Sequence, residues 1–212
     1  YKLIDLPNSR KSKSIKRVRI GGLGIYITYL VSFLVFICLL FFKGENLFAN
    51  NLLFLPLISS GFFFLIGFLD DKYSLSPTLR LVIQLSSASL MWIMGLRIDL
   101  IDFTFINSNY PLIQLPSILS YVITVIWIAG IVNAINWLDG MDGLAAGVCL
   151  LISLGMMVIA FNIGNNSAII FSSSIIGSCI GFLAYNFTPA KIIMGDAGSN
   201  LLGFNLALTS II

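Results

Sequence analysis

Seven apolar stretches, at about 21–42, 51–69, 78–96, 118–136, 143–161, 167–185 and 199–212, recur along the chain with short polar connections between them. A helix needs about 20 mostly apolar residues to cross the hydrocarbon core of a bilayer, and most of these stretches reach or approach that length. The chain could not clothe such segments in water. Only 10% of its residues are charged and 58% are hydrophobic, with a mean hydropathy of +1.00, whereas a soluble domain carries about a quarter charged residues. The reading is an all-α polytopic membrane protein, a single membrane-embedded domain over 1–212 with about seven transmembrane helices. Between Arg97 and Ser117 polar and apolar residues alternate, which predicts a small hairpin outside the membrane near 98–116.

The chain contains no histidine. This removes histidine-ligated zinc and every nucleophile that relies on an imidazole base. Cys38, Cys149 and Cys179 lie far apart inside apolar runs, forming neither a metal-spaced set nor a disulfide framework, and are read as small core residues. Remaining chemistry must run on carboxylates, amides, basic groups and a hard metal ion. The first 19 residues are basic and polar without the apolar core of a signal peptide. The chain opens on Tyr1 and stops at Ile212 inside an apolar run, and both ends are expected to be cut.

Seven spans place alternate connections on opposite sides. One side collects Lys2, Arg10, Lys11, Lys13, Lys16, Arg17, Arg19, Lys72, Arg80 and Lys191, while the other holds Lys43 and Arg97. Cationic loops stay inside, so the first side, with loops at about 1–20, 70–77, 136–142 and 186–198, is assigned to the cytoplasm. The basic run from Arg10 to Arg19 can serve topology and anionic-lipid contact. Asp5, Asp70, Asp71, Asp139, Asp142 and Asp196 fall on this same side; Glu45, Asp99 and Asp102 do not. A topology drawn from apolar runs thus gathers three separate acidic motifs on one face.

The first motif is Gly67-Phe68-Leu69-Asp70-Asp71-Lys72, just after a span. Adjacent carboxylates at a membrane edge repel each other and need a cation or basic partner, for which Lys72 and Arg80 are candidates. A polar helix end with aspartate as turn former is the plainer alternative. In the second motif, Asn133, Asn136, Asp139 and Asp142 recur every third residue before Gly143. Each step of three turns a helix by about −60°, so the four cannot share one face unless the helix ends among them. Gly140 and Gly143 supply the break. Asn133 and Asn136 then lie on a closing turn, Asp139 in the turn, and Asp142 at the start of the next helix. Capping would explain one acid but not two asparagines as well. The third motif, Met194-Gly195-Asp196-Ala197-Gly198-Ser199-Asn200, surrounds one acid with small residues that let backbone approach a ligand. Amides opening the next helix can receive phosphate oxygens, although a tight turn needs no ligand. Oxygen donors beside cationic groups suit magnesium, which is often held by one or two carboxylates plus substrate phosphates. A diphosphate-bearing substrate at the membrane surface follows as the hypothesis.

The strings DLPNSRK…GG, GFLDD, NAINWLDGMDGLAAG and MGDAGS, in this order over nearly the whole chain, resemble the polyprenyl-phosphate N-acetylhexosamine-1-phosphate transferases of glycosyltransferase family 4. The amino-terminal pattern is most similar to the undecaprenyl-phosphate N-acetylglucosaminyl-1-phosphate transferase branch, which starts O-antigen, teichoic acid or capsule synthesis. The peptidoglycan branch usually has a Thr-Pro-rich version there, and the eukaryotic dolichol relatives tend to have neutral residues in place of Asp139 and Asp142. The resemblance implies transfer of a sugar 1-phosphate, such as N-acetylglucosamine 1-phosphate, from a UDP-N-acetylhexosamine to undecaprenyl phosphate with release of UMP. It implies Mg2+ as cofactor, with Mn2+ as a substitute, and an active site on the cytoplasmic face of a bacterial inner membrane.

Carried over by position, Asp196 and Asn136 match metal-ligand positions, Asp142 a uracil contact and Asn133 a position near the diphosphate. Asp70 and Asp71 match paired acids that activate or orient the lipid phosphate, and Asp139 lies at the catalytic centre. Lys72 and Arg80 are expected to bind substrate. Direct attack by the lipid phosphate is favoured, with a covalent aspartyl intermediate as competitor. Three departures from the family pattern stand out. A histidine common in the amino-terminal segment is missing, with Lys13 near its place, and the chain stops before a late histidine-containing motif. The helix that would precede Asp5 is absent too, so the fragment alone could be inactive. Nucleic acid is not an expected partner, and a homodimer stays open. The alternatives are a noncatalytic paralogue fragment and a cation-coupled transporter. Transporter sites lie near the bilayer midplane on broken helices, whereas these acids flank the spans.

Overall fold

The computed structural model describes residues 4–5, 17–42, 51–101 and 113–212. Among the described residues there are seven helices, α1 Gly21–Phe42, α2 Asn51–Tyr73, α3 Pro77–Ile93, α4 Ser117–Leu138, α5 Leu144–Ile163, α6 Asn166–Asn186 and α7 Gly195–Ile211. The chain is an all-α polytopic membrane protein. Four helices among the described residues, α1, α4, α5 and α6, are by length and hydropathy able to cross a bilayer on their own. Large apolar side chains such as Leu34, Val35, Ile126, Leu151 and Ile163 face outward, as a lipid-solvated surface requires.

The helix ends follow local chemistry. Pro77 opens α3 behind Ser76, whose hydroxyl accepts from Leu79 N at 3.3 Å. Gly164, at φ 77°, closes α5 with the left-handed turn that glycine takes without strain. Asn165 then caps α6 by accepting from Ala168 N at 3.1 Å.

The bundle is organised around α7. This helix packs against α1, α2, α4, α5 and α6, and it is buried from Ala197 to Thr209. Small residues make this closeness feasible. A Cβ on Gly22 would stand 2.9 Å from Gly198 Cα, and one on Gly203 would stand 2.7 Å from Val132 Cα. Dispersion contacts and close backbone approach, rather than a hydrophobic driving force, hold helices together in lipid. Stacked Phe63 and Phe204 rings, 4.3 Å between centroids, fill the α2–α7 seam further along.

Short strands flank the helices. β1 (Ile4–Asp5) pairs antiparallel with β2 (Arg17–Val18), and Val18 bridges to Ile192. Ile193 N donates to the Val18 carbonyl at 3.1 Å, and Gly21 N and Gly22 N donate to the carbonyls of Ile193 and Met194. The segment leading into α7 is therefore stitched to the entrance of α1. At the other end, β3 (Leu100–Ile101) pairs with β4 (Ile113–Gln114), forming the base of the expected hairpin. The hairpin's tip (102–112), the basic residues Lys2, Arg10, Lys11, Lys13, Lys16 and Lys43, and the acids Glu45 and Asp102 lie outside the described residues.

Three expectations need correction. The acids Asp70 and Asp71 and neighbouring Lys72 lie on α2, which continues to Tyr73, rather than in a loop, because the helix keeps running once it leaves the apolar zone. Asp142 lies in the turn before α5, since Gly143 at φ 76° immediately precedes that helix. Cys149 and Cys179 are buried core residues, but Cys38 is exposed on α1.

Candidate active site

The ends of α2 and α4 and the starts of α3 and α7 meet at one end of the bundle, and each brings a polar side chain. Asp71, in the last turn of α2, is 5% exposed and caps the start of α7. Its carboxylate oxygens accept from Asp196 N at 3.1 Å and Ala197 N at 2.9 Å. Anions are favoured at a helix N-terminus, where unpaired amides and the macrodipole converge. Arg19 Nη1 lies 4.0 Å from Asp71 Oδ1. Burial still pushes the Asp71 carboxyl pKa up, against the lowering effect of the two amide bonds.

Asp70 faces the other way. Its Oδ1 accepts from Leu75 N at 2.9 Å, fixing the turn after α2, and its Oδ2 accepts from Arg80 Nη1 at 3.0 Å. The same Arg80 nitrogen lies 4.0 Å from Asp196 Oδ1. One guanidinium thus sits between an acid of the first motif and the acid of the third.

Asn136 and Asp139 arrive from α4. Asn136 Nδ2 donates to Asp196 Oδ1 and, at 2.9 Å, to Ser199 Oγ. Asp139 is the residue that closes α4. Its pKa is pushed up to about 7, first by burial and next by the charges of Asp196 and Asp71, partly offset by the Gly195 amide and Arg19. Asn133 lies one turn deeper, bonded to Gln84 and to the Ala129 carbonyl.

The structure therefore brings together Asp70, Asp71, Arg80, Asn136, Asp139 and Asp196, with Asn133 beneath them. Asp142 serves a neighbouring joint: its Oδ2 accepts from Ala190 N at 3.0 Å, tying the turn after α4 to the loop before α7. Asn186 reinforces that joint, accepting from Gly143 N at 2.9 Å and donating to the Ile192 carbonyl at 2.8 Å. Lys72 is not drawn in. It is exposed, with Nζ 5.0 Å over the Tyr73 ring.

Reading the sequence missed Arg19 as an individual contact, as well as Ser199, Gln84, Asn200 and Asn186. Ser199 and Asn200 lie inside the third motif, and Gln84 and Asn186 are detectable as amides within or ending apolar runs. Which basic residue of the amino-terminal run turns inward had no sequence signal, because β2 and the 192–194 segment decide it.

These features define a multi-pass α-helical membrane protein with an acid-rich polar site at one end of its bundle. The sequence profile described as Glycosyl transferase family 4 matches residues 52–212. A probable undecaprenyl-phosphate N-acetylglucosaminyl 1-phosphate transferase of Bacillus subtilis is 34% identical over 209 residues, covering 99% of this chain and 55% of that protein. Phospho-N-acetylmuramoyl-pentapeptide-transferases are similar as well. The Caldicellulosiruptor bescii protein is 36% identical over 208 residues, 94% of this chain and 61% of its own length. The Staphylococcus carnosus protein is 32% identical over 201 residues, 90% of this chain and 60% of its own length. The chain belongs to glycosyl transferase family 4, and it spans between 55% and 61% of the length of these relatives.

Proposed function

We propose that the protein of which this chain is part transfers a sugar 1-phosphate from a UDP-N-acetylhexosamine to undecaprenyl phosphate at the cytoplasmic face of a bacterial inner membrane. The observation that carries this reading is the meeting of Asp70, Asp71, Asn136, Asp139 and Asp196 around Arg80 at one end of a membrane bundle. Relatives named for phosphosugar transfer support it. In the reaction an oxygen of the lipid phosphate bonds to the phosphorus that carries the sugar. The bond from that phosphorus to the bridging oxygen breaks, and UMP leaves with the electron pair.

The donor set fits a magnesium ion. Asp196 offers a carboxylate whose side chain is 26% exposed, with Asn136 against it and Asp139 close enough to feel its charge. Magnesium is often held by one or two carboxylates, with waters and substrate phosphates completing its shell. Asp196 and Asn136 would hold the ion, which supplies charge neutralisation on the diphosphate.

The chain's own residues divide the remaining work. Each oxygen of Asp71 accepts from an α7 amide, so this acid holds Asp196 in place. Asp70 holds Arg80, whose guanidinium can meet a phosphate oxygen bidentately. Asp139, poised near neutrality, takes the proton of a singly protonated lipid phosphate. Asp142, beside the 187–194 loop, contacts the nucleotide base.

The test uses full-length protein in detergent with undecaprenyl phosphate, magnesium and radiolabelled UDP-N-acetylglucosamine, with and without EDTA. Metal-dependent label in lipid and matching UMP release are expected. No transfer from this donor or from any other UDP-N-acetylhexosamine overturns the reading.

A further inference from the structure

Beneath the acids, three amides on three helices form a directed relay. Asn133 Nδ2 on α4 donates to the Ala129 carbonyl at 2.8 Å and to Gln84 Oε1 at 2.7 Å. Gln84 Nε2 on α3 donates to Asn200 Oδ1 on α7 at 3.3 Å. Gln84 and Asn200 are wholly buried.

The relay's polarity is set from one end. A backbone carbonyl only accepts, so the Asn133 atom facing Ala129 must be its nitrogen. The second N–H of that nitrogen then requires an acceptor, and Gln84 turns its oxygen to meet it. Gln84's nitrogen is left facing Asn200, which answers with oxygen. Asn200 Nδ2 ends the relay buried and without a hydrogen-bond partner. Leaving a buried donor unmet is unfavourable, so stability alone does not select this arrangement. Its consequence for Asn133 is the feature that needs explaining.

With both N–H groups spent, Asn133 has only Oδ1 to offer a ligand. Asn136 is left in the same condition, since its Nδ2 bonds Asp196 and Ser199. Two acceptor oxygens thus stand three residues apart, about 60° around α4. An acceptor oxygen cannot hydrogen-bond a phosphate oxygen; it needs an N–H or O–H donor or a hard cation.

We propose that Gln84 is a positioning residue for sugar-nucleotide recognition. It holds Asn133 with its carbonyl oxygen outward, so that Asn133 accepts a hydrogen bond from a neutral N–H or O–H group of the UDP-sugar. This rests on the transferase reading, and it replaces a direct Asn133–diphosphate contact with recognition of a donor group.

A double-mutant cycle in the full-length protein tests it, measuring KM and kcat for UDP-N-acetylglucosamine and for undecaprenyl phosphate. Gln84→Met keeps the length and removes both hydrogen bonds. It is expected to raise the UDP-sugar KM about five- to tenfold, the effect of one hydrogen bond, with the lipid-phosphate KM unchanged. In an Asn133→Ala background the same change is expected to add less than about twofold, because Gln84 acts through Asn133. If Gln84→Met does not fold, Gln84→Asn, one methylene too short to bridge, takes its place with the same expectations. Additive effects, or an equal loss toward both substrates, overturn the positioning role while wild-type turnover keeps the transferase reading intact. A wild-type protein that neither binds nor turns over any UDP-N-acetylhexosamine overturns both.

Discussion

Gly67→Ala adds a single methyl group at the place where α2 passes closest to the acid of the third motif. The new Cβ would stand 2.6 Å from Ala197 Cα and closer still to the Asp196 carbonyl oxygen. Ordinary contact begins near 3.4 Å, so α7 must retreat by roughly 0.8 Å to clear the Ala197 Cα and by more to clear the Asp196 oxygen. Both obstructing atoms are backbone, and no side chain can swing aside. Overpacking of this kind costs about 1–3 kcal/mol. The functional cost is larger, because the displaced residue is Asp196 itself, and a misplacement of about 1 Å at a reacting centre lowers rates by about 100-fold. Thermal unfolding in detergent should show a melting temperature lower by several degrees. Lipid-linked transfer should fall by at least an order of magnitude. Gly130→Ala is the control, since nothing lies within 4 Å of its added Cβ, and it should leave both readouts unchanged. A Gly67→Ala protein that keeps half of its turnover and melts within a degree of wild type would refute the close α2–α7 contact as the element that places Asp196.

The remaining expectations concern the charged residues. Arg80→Ala strands the buried Asp70 carboxylate and should destabilise by about 3 kcal/mol, the lower end for breaking a buried pair because Arg80 is 23% exposed. Arg80→Lys should recover most of the stability but not the turnover, since an ammonium lacks the planar fork; equal turnover in Lys and Arg proteins would refute bidentate phosphate contact. Asp139 binds a proton more tightly folded than unfolded, so its contribution to stability is complete below about pH 4 and is lost as pH rises through about 7. In metal-free protein, Asp139→Asn should flatten the melting-temperature profile between pH 5 and 8, and an unchanged profile would assign that proton elsewhere. Asp142→Ala should raise the UDP-sugar KM more than the lipid-phosphate KM, and a defect confined to the lipid would overturn its assignment to the nucleotide.

What was legible in the sequence, and what was not, divides along a physical line. The seven helices could be read because length and apolarity are local properties, and alternation of sides follows from counting. That counting places Asp70, Asp71, Asp139 and Asp196 on one face, and α2, α4 and α7 bring them to one end. Partner choice could not be read, because it depends on where helices cross. Lys72 and Arg80 were equal candidates for the paired acids. Helix α2 runs to Tyr73 and turns Lys72 outward, while Arg80, in the first turns of α3, is carried back over Asp70. The central burial of α7 was likewise hidden, because a helix of glycine, serine and asparagine reads as weakly apolar until its neighbours are known. Those small residues give α7 the narrow waist that lets Gly67, Gly22 and Val132 come within backbone contact. The residue types that weaken the hydropathy signal of α7 therefore allow five helices to converge on it, and that convergence sets Asp196 against Asp71, Arg80 and Asn136.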